Sequence, residues 1–138
     1  MDDLRTVSEI TGDMPGEETC SLQIWYNKLL GKRKTEINIA DVLRMFRQKV
    51  CLDIAGEIAV RFLEDDPFIG ELWDCQLLGQ IAGTELREWS KEQLYVIRAA
   101  AMTVTENADS YEWALDEERF EAEKAAALIL ERLREYID

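Results

Sequence analysis

Residues 38–63, NIADVLRMFRQKVCLDIAGEIAVRFL, decide the fold class, because their apolar positions recur every three or four residues. The first half carries the stripe Ile39, Val42, Leu43, Phe46 and Val50, the second Leu52, Ala55, Ala59, Phe62 and Leu63. That period belongs to helices with one buried face; strands alternate every two residues. Asn38 is placed to accept a free amide at the start of the earlier helix, and Asp41, three positions on, completes a capping box. Pro67 ends the later helix, since the residue before a proline is pushed out of the helical region.

The same period extends in both directions. A helix around 20–30 closes at Gly31, and a shorter one fits 70–82, with Leu72, Trp73, Leu77, Leu78 and Ile81 apolar and Gly83 at its end. Ser90 and Gln93 form a second capping-box signature, opening a run through Leu94, Ile97, Ala101 and Val104. Residues 116–137 place acids in a first turn and arginines near the end, as the helix dipole favours. Their inward stripe is Ala122, Ala126, Ile129, Leu133 and either Tyr136 or Ile137. No alternating run exceeds four residues, and there is no Asn-Gly hairpin step. The expectation is an all-α chain: a compact single-domain bundle of about six helices over residues 1–138. Residues 1–19 are left as an acidic N-terminal segment that an extended course would suit.

Twenty-nine acids against sixteen bases give a net charge of −13. It is unevenly spread: −5 over 1–19, +5 over 20–51, −7 over 52–90 and −6 over 91–138. Nucleic acid is a poor partner for such a chain, because phosphate neutralisation needs an excess of basic side chains. A basic protein is a good one, drawn in by the field. Lys32, Arg33 and Lys34 read as a solvated connector. Three cysteines without C-x-x-C spacing suit a reducing cytoplasm, and neither a signal peptide nor a membrane span is expected.

The residue types exclude much chemistry. There is no histidine, hence no His general base, no Ser-His or Cys-His pair and no Glu-x-x-His di-iron set. An EF-hand reading beginning at Asp65 finds its glycine at Gly70, but Pro67 and Ile69 stand at ligand positions and Gln76 at the twelfth. No catalytic residue, metal or cofactor is therefore assigned. The four tryptophans, Trp25, Trp73, Trp89 and Trp113, read as core anchors. The acids of 64–74 admit two readings, a solvated turn or a protein-binding surface.

From residue 22 to 78 the order of features is more specific than any single one. The connector Leu30 and Lys32 is followed by Asp41, Arg44 and Gln48 on one helix. Leu63 and Glu64 then lead to the Pro67-Phe68 step, and Gly70, Trp73, Asp74, Leu77 and Leu78 follow. This order resembles the immunity proteins of bacterial contact-dependent growth inhibition (CDI) systems over residues 4–82, with Cys75 standing where that family usually has glycine. The resemblance implies a non-enzymatic cytoplasmic protein, monomeric, that binds and neutralises the C-terminal toxin domain, a nuclease with a basic cleft, of a cognate effector. It makes Asp41, Arg44, Gln48, Pro67, Phe68, Gly70, Trp73, Asp74, Leu77 and Leu78 a structural motif. Asp65, Asp66 and Glu71 are freer to touch a partner. The candidate toxin-binding residues are these three with Glu64 and Trp73, and, in a second acidic stretch, Glu112, Glu117, Glu118 and Glu121. The alternative is an acidic helical adaptor for another basic protein; a small carboxylate or metal-dependent enzyme comes third.

Overall fold

A computed structural model of the chain describes residues 3–137. It contains seven α-helices and two 3-10 turns, and among the described residues the only β pairing is an isolated bridge between Thr6 and Arg33. The helices are α1 Val7–Thr11, α2 Ser21–Leu30, α3 Ile39–Gln48, α4 Leu52–Asp65, α5 Gln76–Ala82, α6 Lys91–Asn107 and α7 Asp116–Leu133. The all-α reading is therefore correct, with one helix more than the six expected. The extra one is α1, where Thr6 and Glu9 form a capping box and Gly12 takes the left-handed conformation at the C-cap (φ 78°).

The chain divides into two compact units, Met1–Ile58 and Ala59–Asp138, with α4 running from the first into the second. In the first unit, α3 begins as its sequence dictates: Asn38 accepts the Asp41 amide, and Asp41 accepts the Asn38 amide. Val42, Leu43, Met45 and Phe46 are buried. The segment from Asp13 to Glu18 is tied along α2. The Asn27 amide both accepts from the Gly16 N–H (3.0 Å) and donates to the Gly16 carbonyl (2.8 Å), and the Tyr26 hydroxyl donates to Asp13 (2.6 Å).

In the second unit α7 packs on both α5 and α6. Its buried side chains are Ala122, Ala125, Ala126, Ile129 and Leu133. Three alanines on this face allow close approach, and the larger apolar side chains come from Leu77, Leu78 and Ile81 of α5 and from Leu94, Ile97 and Val104 of α6. Ile137, not Tyr136, continues the stripe inward. Arg132 donates to the Ala82 carbonyl (3.0 Å), satisfying an acceptor left over at the end of α5.

Three expectations are corrected. Leu52 is exposed, and α4 instead buries Ile54, Ala55, Ile58, Ala59 and Leu63. The helix expected over 70–82 begins only at Gln76, because residues 70–75 spend their backbone groups on a turn. None of the four tryptophans is fully buried: Trp25, Trp89 and Trp113 are half-buried and Trp73 is exposed. Their indole N–H groups explain three of these positions. Trp25 donates to Asp41, Trp89 to the Thr84 hydroxyl and Trp113 to the Ala108 carbonyl, which keeps each ring at the polar boundary of the core.

Candidate functional site: the turn between α4 and α5

The turn that displaces the start of α5 is built from local polar chemistry. Asp66 accepts the Phe68 amide (3.0 Å), the Cys75 amide donates back to the Phe68 carbonyl (2.7 Å) and the Leu77 amide to that of Ile69 (3.2 Å). Across the middle, the Gln76 side-chain oxygen accepts from both the Glu71 and the Leu72 amides, each at 2.9 Å. Gly70 is dictated by space: a Cβ there would lie 1.8 Å from the Trp73 carbonyl oxygen and 2.8 Å from Gln76 Cβ. Cys75 closes the turn in the left-handed region (φ 62°), which explains physically why glycine suits this position. Burial, reinforced by the Asp74 and Asp66 charges, pushes its thiol up to about 12, so it stays neutral and unreactive at ordinary pH.

A second segment, between α6 and α7, supports the turn from behind. The Phe68 ring is buried and stacks on Tyr111, with centroids 3.9 Å apart and planes within 2°. Trp113 meets both rings edge-on, at 5.8 and 4.6 Å. Burial, reinforced by the nearby Asp74 and Asp66 carboxylates, holds the Tyr111 hydroxyl up at about 12. The Asp74 amide donates to Glu118 in the first turn of α7 (3.2 Å).

The candidate residues separate accordingly. Pro67, Phe68, Gly70, Asp74, Leu77 and Leu78 form the turn and its anchorage, with Phe68, Leu77 and Leu78 buried. Glu118 and Asp66 are both engaged in holding it, so Asp66 is less free than the sequence suggests. Glu64, Asp65, Glu71, Glu112, Glu117 and Glu121 are exposed. The two acidic stretches, more than forty residues apart in sequence, are joined by the contact between Asp74 and Glu118. Leu72 and Trp73, expected on the apolar side of a helix, instead point outward at 74% and 48% exposure. Leu115 and Phe120, close to Glu118 in sequence, are also exposed. Sequence reasoning missed Leu72, Tyr111 and Trp113 as parts of one site; the pairing of Tyr and Trp two residues apart just before an acid-rich helix start was the available signal.

The remaining motif residues lie in the first unit. Asp41 is buried, and its carboxylate accepts from the Lys32 ammonium (2.5 Å), the Trp25 indole (3.0 Å) and the Asn38 amide (3.2 Å). Arg44 lies over the Trp25 ring, 4.9 Å from its centroid, and Gln48 is exposed. The connector is not a free solvated loop: besides the Lys32 pair, Lys34 binds Glu57 at 2.7 Å.

Among the described residues no cluster of three or more Cys, Asp or Glu side chains is arranged to hold a metal ion, and no helix is long and apolar enough to cross a membrane. Residues 7–98 match the family of CDI immunity proteins. That span includes the whole α4–α5 turn and ends within α6. No curated protein matches the chain. With two thirds of its residues matched, including every motif position from Asp41 to Leu78, the chain belongs to the family of CDI immunity proteins.

Proposed function

We propose that the protein neutralises its cognate CDI toxin by direct, non-covalent binding through the acidic surface of its second unit, in the cytoplasm and as a monomer, without cofactor or catalysis. The toxin presents a basic face, the phosphate-binding cleft of a nuclease, and the acids cover it. One observation carries this reading. The tie between Asp74 and Glu118 gathers exposed acids from two distant stretches around a single turn. The charge balance supports it: the second unit holds nineteen acids and eight bases, the first only ten and eight. Attraction of this kind acts mainly on the association rate, and salt screens it over about 10 Å at 0.1 M.

Reversing Asp65, Glu71 and Glu117 to lysine tests the surface. Asp66 is left intact because it holds the Phe68 amide. With purified toxin domain at low salt, association is expected to slow by at least about tenfold and to lose most of its salt dependence, while the unfolding transition stays in place. An unaltered association rate would place the docking surface elsewhere.

A further inference from the structure

We infer that Leu72 and Trp73 are the anchor of the toxin interface, inserting together into an apolar pocket bordered by lysine or arginine side chains on the toxin; this rests on the toxin-binding reading above. Two large adjacent side chains stand at 74% and 48% exposure on a turn that is otherwise tightly held. The Gln76 oxygen fixes the amides of Glu71 and Leu72, the Trp73 carbonyl lies against Gly70, and the Asp74 amide donates to Glu118. Exposing apolar area on a rigid support carries an energetic penalty in the free protein, but the tip is ordered before it binds, so little freedom is lost on docking. Tryptophan is also the residue type most enriched among the few that dominate interface energetics.

The charges around the tip set the chemistry of its partner. Glu71 precedes it and Asp74 follows it, with Glu117 and Glu118 at the neighbouring start of α7. A purely apolar receptor would leave these carboxylates facing hydrocarbon, whereas a pocket rimmed by bases pairs with them. The acids then govern how fast the partners meet, and the tip governs how long they stay together.

Dissociation kinetics separate these roles. The probe is the purified C-terminal toxin domain of the cognate CDI effector, immobilised and exposed to wild type, Leu72→Ala, Trp73→Ala and Trp73→Phe. Trp73→Ala is expected to dissociate about 30-fold faster and Leu72→Ala about tenfold faster, with association within twofold of wild type. Trp73→Phe should stay within about threefold of wild type, because an aromatic ring still fills the pocket. All three variants should unfold at the wild-type denaturant midpoint, since neither side chain belongs to the core. Wild-type dissociation rates in both alanine variants, or a loss confined to association, would overturn the anchor and leave the toxin-binding reading standing. Failure of the wild type to bind would overturn both.

Discussion

Replacing Gly70 by alanine is expected to destabilise the second unit by about 3 kcal/mol, at the upper end of what overpacking usually costs. The added methyl would stand 1.8 Å from the Trp73 carbonyl oxygen, a backbone atom that no rotamer change can move aside. Relief requires the turn to open, which breaks the two bonds from Gln76 to the Glu71 and Leu72 amides. Gly79 supplies the control. It lies within α5 with nothing inside 4 Å of its would-be Cβ, so Gly79→Ala should stabilise by roughly 0.5–1 kcal/mol through helix propensity alone. Urea unfolding of the two variants should therefore move the midpoint in opposite directions. A Gly70→Ala loss below about 1 kcal/mol would mean that the turn yields at little cost and does not hold the tip rigidly.

The second large effect is expected at Asp41. Asp41→Ala removes the acceptor of three donors at once, from Lys32, Trp25 and Asn38. Breaking a buried pair from one side costs about 3–5 kcal/mol because the partner charge is left uncompensated. Lys32 keeps 30% of its side chain exposed and can rehydrate in part, which places the expected loss near the lower figure, about 3 kcal/mol. Combining it with Lys32→Met should recover part of that loss, since no unpaired ammonium then remains. A double variant as unstable as Asp41→Ala alone would show that the indole and N-cap bonds, not the charge pair, account for the effect.

These two residues also mark where sequence reading succeeds and where it stops. The Asn38–Asp41 and Ser90–Gln93 boxes are legible because the interacting groups are three residues apart and helix geometry does the rest. The box of Thr6 and Glu9 has the same form, but its helix is five residues long and shows no apolar period to draw attention to it. Trp73 was misplaced for a different reason. Hydrophobic periodicity through 70–82 fits a helix, yet the Gln76 side chain holds the Glu71 and Leu72 amides in a turn, and the Cys75 and Leu77 amides donate to the Phe68 and Ile69 carbonyls instead of to carbonyls four residues back. Nothing local announces that competition. The stacking of Phe68 on Tyr111 and the tie between Asp74 and Glu118 join residues more than forty positions apart, so periodicity and capping signals carry no trace of them. The acids were individually visible, but which of them are free and which hold backbone could be read only from the folded chain.

The measurement that bears most directly on the central claim is rescue from intoxication. The C-terminal toxin domain of the cognate CDI effector is induced in cells with and without the protein, while growth and the integrity of RNA and DNA are followed. Sustained growth with intact nucleic acid when the protein is present, and arrest with degraded nucleic acid when it is absent, is the predicted result. Arrest despite abundant, folded protein would contradict the account.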